Sequence, residues 1–133
     1  MGNLNITKPS VLVIEDDAFI QSILNEILSE NFHVTIFTDG LEGMNYLQSG
    51  NIPDIILSDL NVPGLDGMSF LVQIRNSGFF KSIPFIILSG KDDIENRIKC
   101  LEAGADDFLN KPFNPRELDA RLKNILRRLG KNK

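Results

Sequence analysis

Residues 53–67 read PDIILSDLNVPGLDG. Ile55, Ile56 and Leu57 form a short run that is apolar at every position and stops at Ser58-Asp59, before a turn built on Pro63-Gly64. Such a run fits a strand covered on both faces, as in a parallel sheet. The same pattern recurs at residues 11–14 and 85–88. Residues 34–37 alternate more and suit an edge strand, and residues 108–109 supply a shorter fifth run.

Each run is followed by a helical periodicity. Ile20, Ile23, Leu24, Ile27 and Leu28 recur at i, i+3, i+4, i+7 and i+8. Leu41, Met44 and Leu47 mark a second helix, and Met68, Leu71 and Ile74 a third. Ile94, Ile98 and Leu101 are expected to form the inner line of a fourth, stopped by a left-handed cap at Gly104. The fifth opens Asn114-Pro115-Arg116-Glu117, an N-cap, a proline at N1 and a glutamate able to cap back from N3. Its apolar line is Leu118, Leu122, Ile125 and Leu129. Five β-then-α units predict an α/β, doubly wound, five-stranded parallel sheet in order 2-1-3-4-5 with helices on both faces. Phe79 and Phe80 are expected to cover its core, Cys100 to be a half-buried spacer, and His33 to sit on the surface.

In such a sheet the ligand site lies beyond the carboxyl ends of the strands. The first run ends in Glu15-Asp16-Asp17, the third in Ser58-Asp59, the fourth in Ser89, and the fifth leads to Lys111-Pro112. Folding alone gives no reason to gather carboxylates at one edge; they repel unless a proton or a cation intervenes. A hard divalent cation suits oxygen ligands, and the absence of nearby Cys or His argues against zinc. With one lysine and one hydroxyl, the set reads as a cage for a tetrahedral oxyanion beside a metal, with an aspartate as nucleophile. Taken singly the members are bland: Asp17 could be only a helix N-cap, and Ser89-Gly90 only a turn.

Composition bounds the rest. A chain of 133 residues with 42% hydrophobic residues is one domain with an adequate core. One cysteine, no long apolar run and no signal-like N-terminus fit a cytoplasmic protein with no membrane contact. The net charge of −4 is uneven, because residues 111–133 hold eight of the fourteen Lys/Arg. Bases concentrated at one end, with no basic face across the fold, argue against direct nucleic-acid binding by this domain.

Four stretches in order, VLVIEDD at 11–17, ILSDLNVPGLDG at 56–67, PFIILSG at 84–90 and GADDFLNKPF at 104–113, closely resemble the receiver domain of bacterial two-component response regulators. The resemblance implies a flavodoxin-like fold over residues 10–129, with 1–9 an N-terminal extension and 130–133 a tail or the start of a linker. It implies that Asp59 is the phosphorylated residue. Mg²⁺ (or Mn²⁺) would be held by Asp16, Asp17, Asp59 and the backbone carbonyl of Asn61. Ser89 and Lys111 would hold the phosphoryl group, and Lys111-Pro112 would be cis.

Ser89 and Phe108 would form the switch, read out on the face of the fourth helix, fifth strand and fifth helix. Asn61 and Lys91 would tune a slow self-dephosphorylation. The implied partners are a histidine kinase or histidine phosphotransfer protein as donor, an output domain or target protein as listener, and a phosphorylation-dependent homodimer. Such a domain is a signalling acceptor rather than an enzyme with external substrates. A flavin carrier of the same topology would be repelled by Glu-Asp-Asp in its phosphate loop, and a phosphohydrolase would want an acid where Asn61 stands. A receiver that serves only as an interaction module would lack so complete a set of acids, hydroxyl and lysine.

Overall fold

A computed structural model describes residues 8–90 and 94–130. Among these residues the elements run β1 (Ser10–Ile14), α1 (Ala18–Leu28), β2 (His33–Phe37), α2 (Gly40–Gln48), β3 (Ile55–Asp59), α3 (Gly67–Arg75), β4 (Phe85–Ser89), α4 (Ile94–Glu102), β5 (Asp107–Asn110) and α5 (Pro115–Arg128). The strands form one parallel sheet in the order β2-β1-β3-β4-β5, as the sequence predicts.

Alternation along the strands divides the core in two. Leu12, Ile14, Ile56, Phe85 and Ile87 face Met44, Leu47, Phe70, Leu71, Ile74 and Cys100 from α2, α3 and α4. Val11, Val13, Ile55, Leu57, Ile86 and Leu88 face Leu24 and Leu28 of α1 and Leu118, Leu122, Ile125 and Leu126 of α5. Burying each such side chain contributes about 1.5–3 kcal/mol, which is why β1, β3 and β4 are apolar apart from their ends.

Local chemistry sets the helix ends. Asp17, Asp39, Asp66 and Asn114 cap the N-termini of α1, α2, α3 and α5 through their side-chain oxygens. Gly104 has φ 108°, its N–H bonds to Leu101 O and that of Ala105 to Cys100 O, the paired pattern that closes a helix through a left-handed residue. At the same corner Arg75 donates to the carbonyls of Gly104 (2.9 Å) and Ile83 (2.7 Å) and to Asp106 Oδ2 (2.9 Å). Asp106 in turn accepts from the N–H of Phe85, so α3, β4 and the turn into β5 are tied by one guanidinium.

Several side chains face the other way from the sequence expectation. Ile94, Ile98 and Leu101 are exposed on α4, whose inner face is instead the fully buried Cys100 with Arg97 and Ala103 beside it. With Arg97 over the Phe108 ring and Cys100 buried, the apolar line turns to solvent. Phe79 is 81% exposed while Phe80 is buried. Leu41 and Leu129 are likewise exposed, Leu126 taking the inner place at the end of α5. Glu117 does not cap backwards; it pairs forward with Arg121.

Candidate functional site

The carboxyl edge of the sheet brings together residues from four strand ends. Asp59 closes β3 and is buried, its position fixed by pairing opposite Leu88 and by the bond from Leu60 N to Leu88 O. Gly67 packs directly behind it: a Cβ there would lie 2.5 Å from the carbonyl oxygen of Asp59. Ser89, also buried, ends β4 opposite Asn110. The main-chain N–H of Lys111 bonds to the carbonyl of Ser89 at 2.6 Å, and the Lys111-Pro112 peptide is cis.

From there the lysine side chain reaches over the strand ends. Its Nζ lies 3.1 Å from Asp59 Oδ2 and 2.9 Å from Glu15 Oε1. Burial works to lower the Lys111 pKa, but the two carboxylates outweigh it and hold the ammonium above its ordinary range. Burial pushes the Glu15 carboxyl above its usual value, against the pull of Lys111 and of the Asp17 N–H.

Glu15, Asp16 and Asp59 each offer one carboxylate oxygen to a group whose three atoms lie within 4.8 Å of one another. Asp17 is not among them. Its Oδ1 accepts from the N–H groups of Phe19 (2.8 Å) and Ile20 (3.1 Å), so that oxygen caps α1. The acids gathered beside Asp59 are therefore Glu15 and Asp16, one residue earlier than the expected Asp16 and Asp17. The missed residue, Glu15, is wholly buried, and its Oε2 accepts from the Asp17 N–H at 3.0 Å. The signal was present in sequence: the acid next to the first helical residue is the one a helix start claims.

The group fits a divalent cation on charge grounds. Three carboxylates face one ammonium, leaving two negative charges that a doubly charged ion would cancel. Asn61 lies two residues past Asp59 and is exposed at the lip of the site. Lys91 lies outside the described residues. Phe108 sits on β5, buried, with the guanidinium of Arg97 5.0 Å above its ring. Beside Lys111 an open groove of about 460 Å³ is lined by Phe19, Ile20, Ile23, Pro112, Phe113 and Pro115 among others.

The family model described as "response regulator receiver domain" matches residues 11–123. The chain belongs to that family. The receiver domain is 40% identical to the transcriptional regulatory protein PrrA of Mycobacterium tuberculosis over 94% of this chain and 53% of that protein. It therefore spans about half the length of such curated relatives. Among solved structures, the receiver domain of a Francisella response regulator is 36% identical with a TM-score of 0.84, covering 92% of this chain and 99% of that one. A receiver domain from a Pseudomonas aeruginosa sensor histidine kinase, with a magnesium ion coordinated in its active-site cleft, is 30% identical with a TM-score of 0.80, over 89% of this chain and 97% of that one. Among the described residues no helix is long and apolar enough to cross a membrane.

Proposed function

We propose that this receiver is a phosphoryl acceptor in a two-component relay of the cytoplasm, with Asp59 as the residue modified. The observation that carries the reading is the sharing of one lysine between Asp59 and Glu15 inside a group of three carboxylates. An Asp59 oxygen attacks the phosphorus of a phosphohistidine on a kinase or phosphotransfer protein. The new P–O bond forms as the P–N bond breaks, and the histidine nitrogen leaves with the bonding pair.

Little covalent chemistry is asked of the protein, so catalysis is positioning and charge stabilisation. Lys111, already 3.1 Å from Asp59, follows the charge onto the transferred group's oxygens, leaving Glu15 to hold its other side. Ser89 donates its hydroxyl to a further oxygen. Asp16 and Asp59, with Glu15 beside them and the Asn61 carbonyl at the lip, would hold Mg²⁺ or Mn²⁺. When bound, the ion supplies positive charge where the oxygens of the transferred group gather it. Water attack on the aspartyl phosphate, tuned by Asn61 and Lys91, returns the site slowly to its resting state.

The apolar groove beside Lys111, with Phe19 exposed at its wall, is where a donor helix carrying the phosphohistidine would seat. Output is read on α4, β5 and α5, where Ile94, Ile98 and Leu101 stand exposed for a target protein, an output domain or a second copy. Ser89 and Phe108 connect the site to that face.

The direct test is transfer from phosphoramidate, which offers the same P–N bond as the donor, with Mg²⁺ or with EDTA. Incorporation should require Mg²⁺ and disappear in Asp59→Asn. Equal labelling of the variant would remove Asp59 from the role.

A further inference from the structure

We propose that Arg97 is a latch coupling the phosphorylation site to α4, holding Phe108 and the end of β5 in the resting arrangement. The inference rests on the reading of Asp59 as acceptor and names the residue through which its state is passed on. The guanidinium carbon of Arg97 lies 5.0 Å from the centroid of the Phe108 ring, and Nη2 donates to Asn110 Oδ1 at 3.1 Å. One planar group thus grips two residues of the same strand, stacking on one and hydrogen-bonding the other. Phe108 beneath it is only 8% exposed.

Position gives that grip its consequence. Asn110 pairs opposite Ser89, and the next residue is Lys111, whose N–H bonds to the Ser89 carbonyl. The side chains of Ser89 and Lys111 serve the site, while Asn110 between them is held from α4. When Lys111 leaves Asp59 for a phosphoryl oxygen and Ser89 turns to the same group, the strand ends that carry Asn110 must adjust. Arg97 senses that adjustment at two points at once.

Arg97 also stands on the inner face of α4, where a helix of this kind ordinarily places an aliphatic residue. Ile94 and Leu101, three and four residues from Arg97, stand exposed on the neighbouring face of the same helix, with Ile98 beside them. Loosening Arg97 therefore frees the helix that carries the exposed apolar line. A latch of this sort can shift an equilibrium only by the difference in its contacts between the two states, so its loss should shift populations modestly.

The test uses the whole chain labelled with 4-fluorophenylalanine, the Phe108 fluorine signal being assigned by its loss in Phe108→Leu. Beryllofluoride with Mg²⁺ serves as the phosphoryl mimic. In resting protein, Arg97→Ala and Arg97→Lys should move the Phe108 signal part-way toward its beryllofluoride-bound position. Both should phosphorylate faster with acetyl phosphate, by roughly fivefold, the size expected for a stacked cation plus one hydrogen bond. Mg²⁺ affinity should stay at the wild-type value. Arg97→Lys keeps charge and length, so it guards against a result caused by unfolding. Variants with the wild-type signal and the wild-type rate, in a chain that does accept beryllofluoride, would overturn the latch alone. A wild type that takes neither beryllofluoride nor a phosphoryl group would overturn the acceptor reading and the latch with it.

Discussion

The substitution Gly67→Ala separates the site's geometry from its chemistry, because it touches no charged group. An added methyl would lie 2.5 Å from the carbonyl oxygen of Asp59 and 2.9 Å from the Cα of Leu60. Both obstacles are backbone, so neither can swing away as a side-chain tip could. Relief to ordinary contact demands a shift of roughly an ångström, taken by the start of α3 or by the Asp59 peptide. Overpacking of this kind costs about 1–3 kcal/mol, and for a chain of this size the melting temperature should fall by roughly 3–12 °C. If the Asp59 peptide takes part of the shift, its carboxylate moves against Lys111, and misplacement on that scale lowers a transfer rate by up to ~100-fold.

The assay is a thermal melt paired with the initial rate of phosphorylation by acetyl phosphate, both measured against Gly78→Ala. A Cβ at Gly78 meets nothing within 4 Å, so that variant should melt within about 1 kcal/mol of wild type and phosphorylate normally. Gly67→Ala protein that melts and phosphorylates like Gly78→Ala would refute the claim that Gly67 holds the Asp59 peptide in place.

Other outcomes follow from the ion pairs. Lys111→Ala should leave Mg²⁺ binding by calorimetry undiminished, since it removes a cation from the acidic group, while phosphorylation slows by about 100-fold; loss of metal binding alone would mean the lysine is misassigned. Glu15→Gln should weaken Mg²⁺ binding by about 10–100-fold. In Mg²⁺-free buffer the same variant should be more stable than wild type at neutral pH. Burial raises the Glu15 pKa above 4.5, so the fold favours its protonated form, and that stability is present below 4.5 and lost as pH rises through the folded value. The advantage of the Glu15→Gln variant should accordingly close in melts taken below about pH 4. Arg75→Ala removes hydrogen bonds to the Gly104 and Ile83 carbonyls and the Asp106 pair, and should cost about 2–4 kcal/mol in urea unfolding with phosphorylation chemistry preserved.

The sheet was readable because β1, β3 and β4 each carry an unbroken apolar run, with polar residues only at strand ends, and only burial on both faces makes such strands worthwhile. The cap at Asn114 and the left-handed stop at Gly104 were readable because they depend on local backbone chemistry. What escaped the sequence depended on packing. Helical period says that Ile94, Ile98 and Leu101 share a face but not which way the face turns. Arg97 took the inner side, where it stacks on Phe108 and bonds to Asn110, and Cys100 is buried on the same side. In the site, Asp59, Ser89 and Lys111 were legible as strand endings. The acids after β1 were displaced by one, although Asp17, next to the first helical residue, carried the N-cap signal; the fold gives Asp17 to α1 and buries Glu15. Phe79 and Phe80 show the same limit, since only one of two adjacent rings can turn inward.

The most direct measurement is the intact mass of the purified chain after incubation with acetyl phosphate and Mg²⁺, followed by exposure to alkali. One phosphoryl group should be added, should be labile to base as an acyl phosphate is, and should be absent from Asp59→Asn and from wild type in EDTA. A wild type that gains no mass, or an Asp59→Asn variant that gains the same mass, would contradict the account.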